Sequence, residues 1–158
     1  MFKVGDMIAH PMHGAGIIDG IEEKRVQGVT RSYYVLTIPT GGMVLWIPTD
    51  SCEAIGVRPI VSANVVEAVI AAIPEIEIDV SRNWKQRYRE NMLRIKSGDL
   101  MEVARVIKCL VQRDRSQELS TGERKMLHSA KQILISEIVL AKELPYEEAE
   151  RSLNDALA

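Results

Sequence analysis

The apolar pattern of this 158-residue chain changes period once, near Arg58-Pro59-Ile60, and that change predicts an α+β fold. Residues 1–60 hold short runs rich in Val, Ile, Tyr and Leu, separated by turns that carry Gly and Pro. Residues 61–158 hold runs with helical spacing and identifiable caps. The expected organisation is therefore a small β-barrel domain over 1–60 and an all-α helical bundle over 61–158, with no internal repeat and no low-complexity segment.

The strand candidates in order are Met7–His10, Ala15–Glu23, Ser32–Ile38, Met43–Ile47 and Ala54–Val57. Turn signals at Pro11-Met12-His13-Gly14, Gln27-Gly28 and Thr40-Gly41-Gly42 separate the first four. Five short strands in about sixty residues predict a strongly bent sheet or SH3/Tudor-like barrel. Gly14, Gly16, Gly41 and Gly42 allow the tight turns that such a barrel needs.

In the second half Ser62 is a candidate N-cap for Ala63–Ile73, which Pro74 ends. An acidic extended run, Glu75–Asp79, follows. A second helix begins near Arg82 and stops at Ser97-Gly98, with Gly98 as its C-terminal cap. Asp99 caps a third helix running to about Arg115. Ser120-Thr121-Gly122-Glu123 reads as a capping box and opens the longest helix. Its buried stripe is Met126, Ala130, Ile133, Leu134, Ile138 and Ala141. Pro145 suits the first turn of a last amphipathic helix through Leu153 and Leu157.

Composition excludes several classes of function. The 46% hydrophobic and 27% charged content is that of a packed globular chain. No run approaches the roughly 20 apolar residues that span a bilayer, and Met1-Phe2-Lys3-Val4-Gly5-Asp6 lacks the layout of a signal peptide. Cys52 and Cys109 fit no disulfide framework, and reduced thiols in a cytoplasmic protein are expected. There is no GxSxG, HExxH, Walker loop or GxGxxG, so neither an enzyme nor a small-molecule substrate or cofactor is expected. His10 and His13 flank Pro11-Met12 without further ligands at metal spacing, and a turn role is the better reading.

The formal net charge of −2 conceals a segregation: residues 81–132 hold thirteen of the twenty Lys and Arg. Such a block reads either as a local polyanion site or as a well-solvated set of helices. Within it lies Ser81-Arg82-Asn83-Trp84-Lys85-Gln86-Arg87-Tyr88-Arg89, where a tryptophan sits among basic residues at the start of a helix. A ring beside Arg82, Lys85, Arg87 and Arg89 suits a surface that holds phosphates and presents a flat group to bases. Trp84, Tyr88, Met92 and Ile95 also follow helical spacing, and periodicity alone favours a buried stripe beginning at Trp84. The first turn of the capping-box helix carries Arg124 and Lys125. Free backbone N–H groups there make either a phosphate site or an ordinary cationic surface.

A second candidate surface is Met43-Val44-Leu45-Trp46-Ile47, almost wholly apolar. It fits a central buried strand or an edge strand that pairs with a partner protein. A small barrel has little room for another buried Trp, which favours a partner contact at Trp46.

Together these pieces resemble the CarD/CdnL family of bacterial transcription regulators over essentially the whole chain. The likeness is carried by Phe2-Lys3-Val4-Gly5-Asp6, His10-Pro11-Met12-His13-Gly14, Ile47-Pro48 and Ile55-Gly56-Val57-Arg58. In the second half it is carried by Asn83-Trp84, Arg87-Tyr88, Ser97-Gly98-Asp99, Val103-Ala104, Leu119 through Leu127, and Ala130 through Leu134. No one of these motifs is specific, but the ordered set is. The resemblance implies a Tudor-like domain, similar to the polymerase-binding module of transcription-repair coupling factors, that docks on the RNA polymerase β subunit. It implies a helical domain that meets promoter DNA at the upstream edge of the transcription bubble, with Trp84 at the position of a tryptophan that wedges into the minor groove. That implication overrides the preference of periodicity for a buried Trp84.

The expected DNA contacts are thus Trp84, Arg82, Lys85, Arg87, Arg89, Arg124 and Lys125, largely independent of sequence. The expected polymerase contacts are Lys24, Leu45, Trp46 and Ile47. Lys24 keeps the basic character of relatives, but Trp46 stands where some carry arginine, and Gln86 where some are basic. Two other readings compete: a free architectural DNA-binding protein without polymerase contact, and a pure protein–protein adaptor whose basic block is only a solvated face.

Overall fold

The computed structural model describes residues 1–78 and 83–158. Strands β1 (Met7–His10), β2 (Gly14–Val26), β3 (Val29–Ile38) and β4 (Met43–Pro48) form a meander. A fifth strand, β5 (Arg58–Pro59), pairs with β1, so the antiparallel order is β4-β3-β2-β1-β5. The fifth strand is expected at Ala54–Val57, but the first half of that stretch belongs to the one-turn helix α1 (Cys52–Ile55). Gly56, at φ 96°, ends this turn and turns the chain into β5.

The remaining elements are α2 (Ala63–Ala72), a 3-10 turn over Ile73–Glu75, α3 (Trp84–Lys96), α4 (Leu100–Ser116), α5 (Thr121–Lys142) and α6 (Tyr146–Leu157). Their starts follow from the caps. The side chains of Ser62, Asn83, Asp99 and Ser120 accept from the N–H groups of Val65, Gln86, Met101 and Glu123. Asn83 sets the start of α3, so that helix opens at Trp84 and not at Arg82, which lies outside the described residues together with 79–81. Gly98, at φ 73°, donates to Ile95 as α3 ends.

The sheet buries Ile8, Ile18, Tyr34, Leu36, Ile38 and Ile47 on one face. A separate core gathers Val66, Val69, Val103, Ile107, Leu110, Leu134, Ile138 and Leu153 from α2, α4, α5 and α6. Of the stripe expected along α5, Met126, Ala130, Ile133, Leu134 and Ile138 are buried and Ala141 is half-buried.

The halves meet along α5. The Ala15 N–H donates to Ser136 Oγ at 2.8 Å, and a Cβ on Gly14 would come within 2.5 Å of the same oxygen. Ala9, Ala15 and Leu140 form a small apolar contact beside it. Glu137, 1% exposed, accepts two bonds from Arg58, at 2.7 and 3.0 Å, and one from the Val61 N–H at 2.9 Å. No helix among the described residues is long and apolar enough to cross a membrane.

Candidate nucleic-acid interface and docking strand

Helix α3 packs its Ile95 into the helical core, with Tyr88 and Met92 against its rim. The stripe stops there. Trp84, one turn earlier, is 55% exposed, contrary to what periodicity alone favours. The cause is position: a residue at the first helical site has its side chain tilted back past the helix end, beyond the packed body. Leaving such a ring half in water forgoes roughly 2–3 kcal/mol of apolar burial.

The ring does not stand alone. It lines an open cleft of about 350 Å³ with Arg113, Glu118, Leu119, Ser120 and Glu123. The first turns of α3 and α5 abut there, since a Cβ on Gly122 would lie 3.6 Å from the Tyr88 ring. Two helix N-termini therefore open toward the surface that carries Trp84, and both favour negative charge.

The basic residues sort into two groups. Lys85 and Arg89 are exposed and lie one turn apart on α3, about 100° round the helix from Trp84 and in line with one another. Lys125 is exposed on α5 and borders a groove with Met12, Tyr88 and Met92. Arg124 is exposed but paired with Glu118. Arg87 corrects the expectation of a surface phosphate contact. It is 8% exposed, faces Glu123 at 4.0 Å, and lines a partly open 240 Å³ cavity with Arg94 and Arg105. Arg94 and Arg105 face Glu102, Arg113 faces Glu123 at 3.4 Å, and Arg115 donates to the Leu157 carbonyl. Lys108 is buried, with Nζ on the Ile73 and Pro74 carbonyls at 2.7 and 2.8 Å. Much of the positive block thus holds the bundle together.

Glu123 was legible only as the closing residue of a capping box, three after Ser120. The Ser120 hydroxyl caps its N–H at 3.2 Å, but its carboxylate is buried against Arg87 of α3 and Arg113 of α4. It ties three helices at the end that carries Trp84.

On the sheet, β4 is an edge strand, paired to β3 on one side. Strand geometry sends alternate side chains to opposite faces. Val44 and Trp46 point outward, Trp46 being 37% exposed. Ile47, 3% exposed, belongs to the core, and Leu45 packs half-buried against it. Ile47 therefore offers a partner no side chain, and Leu45 offers little. The outward face is organised instead around Trp46: Lys24 Nζ sits 3.3 Å from its ring centre and Tyr33 meets it edge-on at 6.5 Å.

The His10–His13 turn has a local explanation. His10 Nδ1 accepts from the Met12 N–H at 3.1 Å, and the two rings are 4.7 Å apart. Burial, with the nearby His13, lowers the His10 pKa below its ordinary value.

The fold thus has two parts: a sheet with an open edge at β4, and a bundle that presents an aromatic ring beside helix N-termini. The family described as CarD-like/TRCF RID domain matches residues 2–61, and that described as CarD, C-terminal domain matches 68–154. A Bacillus subtilis (strain 168) protein, "Putative transcription factor YdeB", is 37% identical over 142 residues, covering 90% of this chain and 93% of its own length. The chain belongs to the CarD family of transcription regulators.

Proposed function

We propose that this protein docks on the β subunit of RNA polymerase and stabilises the open promoter complex by inserting Trp84 into the minor groove at the upstream edge of the bubble. The observation that carries the reading is the half-exposed Trp84 ring at the first turn of α3, where the buried stripe of that helix has already ended. At a bubble edge the base stack is already interrupted, so insertion costs less than in intact duplex. Strands cannot re-pair through the space that the ring occupies, so bubble collapse slows.

Lys85, Arg89 and Lys125 supply exposed positive charge near the ring and hold phosphates without reading sequence. Docking uses the open edge of β4 and its outward face, with Trp46 under Lys24 as the anchor. The relative's name as a transcription factor supports this reading. It leaves no chemical step for the protein to catalyse.

The test is open-complex decay after a competitor challenge. Stacking of an aromatic on a base is worth about 1–3 kcal/mol, or roughly five- to 150-fold in a population ratio. Trp84→Ala should bind polymerase normally and lose most of the lifetime extension, with Trp84→Phe in between. A folded Trp84→Ala that prolongs the complex as well as the parent would refute the wedge. Retention on polymerase only when DNA is present would favour a free architectural DNA-binding protein.

A further inference from the structure

The connection between β5 and α2 is only Ile60-Val61-Ser62, and a connection this short fixes distance but not angle. The angle is set by side chains. Arg58 lies at the centre of the junction: its Nη1 and Nη2 donate to the Glu137 carboxylate on α5, and its Nε donates to the Gly98 carbonyl at 3.0 Å. Gly98 follows the last turn of α3, whose other end begins at Trp84. One guanidinium therefore joins the sheet both to α5 and to the base of the helix that carries the ring. Glu137 holds that guanidinium by a two-point contact and also takes the Val61 N–H from the connection itself.

Helix α3 has 13 residues and spans about 20 Å. A tilt of about ten degrees at its Gly98 end would carry Trp84 roughly 3 Å, close to the spacing of stacked bases. A buried ion pair is weak evidence for stability, because apolar residues of similar volume often serve as well or better. Its better-attested use is to fix a register, and a flat fork against a carboxylate fixes direction as well as distance.

We propose that Glu137 is a positioning residue: through Arg58 it sets the angle between the docking strand β4 and the Trp84 end of α3, so that docking delivers the ring to one place on the DNA. The inference rests on the polymerase-and-DNA reading above, but its first readout does not need polymerase. With Cys52→Ala and Cys109→Ala as background, spin labels at the exposed positions Val44→Cys and Leu93→Cys report the distance from β4 to α3 in the free protein.

The parent should give one narrow distance distribution. Glu137→Ala should broaden it while polymerase pull-down stays unchanged, and should shorten the open-complex lifetime gained by at least about fivefold, the low end of coupling between two sites. Glu137→Gln, which keeps an acceptor for Val61, should fall between. Ser136→Ala, which removes the bonds of Oγ to the Ala15 N–H and the Ile133 carbonyl but leaves Glu137 in place, serves as a second variant should Glu137→Ala fail to fold, and should broaden the distribution less. An unchanged distribution in a folded Glu137→Ala protein would overturn the proposal. So would a broadened distribution with the full lifetime effect, since the angle would then not govern where Trp84 arrives. A narrow parent distribution that broadens in Glu137→Ala, with no effect of the parent on lifetime, would support the clamp and sink the polymerase reading alone.

Discussion

Replacing Glu123 by alanine removes a buried carboxylate that lies 3.4 Å from Arg113, 4.0 Å from Arg87 and 3.3 Å from the Ser120 hydroxyl. Removing one partner of a buried pair costs about 3–5 kcal/mol. The Arg113 side chain keeps some solvent and the Arg87 contact is long, so the cost is discounted to about 2–3 kcal/mol, at or just below that range. In a chain of this size that lowers Tm by roughly 4–12 °C. Glu123→Gln keeps the volume and a hydrogen-bond acceptor and should lose about half as much. Because the carboxylate joins the first turn of α5 to the first turn of α3, the functional loss should exceed the loss in folded fraction. Urea unfolding monitored by far-UV circular dichroism gives the first quantity, and open-complex lifetime at a temperature where the variant is fully folded gives the second. A stability loss below about 0.5 kcal/mol would refute the reasoning, because the ion cluster would then not hold the helix ends together.

The other predictions concern the two surfaces and the histidine turn. Trp46→Ala should weaken polymerase binding by about 2 kcal/mol, or roughly thirtyfold, with the helical half still folded; unchanged affinity would show the ring to be incidental. Lys125→Ala should lower the salt slope of DNA association by about one unit without changing sequence preference, whereas Arg87→Ala should act mainly through stability. Salt titration of binding beside urea unfolding separates them. His10 has a folded pKa depressed below its unfolded value, so the unfolded chain takes up the proton first as pH falls. Stability should therefore be full above about pH 6.5 and decline below it, and His10→Gln should flatten that decline in urea midpoints measured at pH 7.5 and 5.5.

The elements that could be read from the sequence were those whose signals are local. Ser62, Asp99 and Ser120 mark helix starts because a cap is made within three residues, and Gly98 marks an end for the same reason. β1 through β4 follow from short β-rich runs between glycines. The fifth strand was misplaced because α1 and β5 together occupy fewer residues than a period needs to declare itself. The site was harder. Periodicity alone favours a buried Trp84, and only the place where packing ends separates the two outcomes. Counting charge overstated the cationic surface, since Arg87 and Lys108 find partners some 35 residues away in sequence and Arg113 pairs across a helix junction. Ile47 and Trp46 are adjacent large side chains that a count of apolar residues treats alike, and the pleat sends one inward and the other out.

The bond between the Ala15 N–H and Ser136 Oγ joins positions 121 residues apart. The N-terminal sheet leaves the ribosome long before its partner helix has been made. At about 5–20 residues per second, this amide waits roughly 6–24 s for its acceptor. During that interval the face of β1 and β2 that α5 will cover, with Ala9 and Ala15 on it, is open to solvent or to a chaperone. If the sheet docks as proposed, a nascent chain can dock before it is a complete regulator. On that proposal, a chain truncated before Thr121 that still folds its sheet would carry β4 and its outward tryptophan without α5, and would compete for polymerase as an inhibitor.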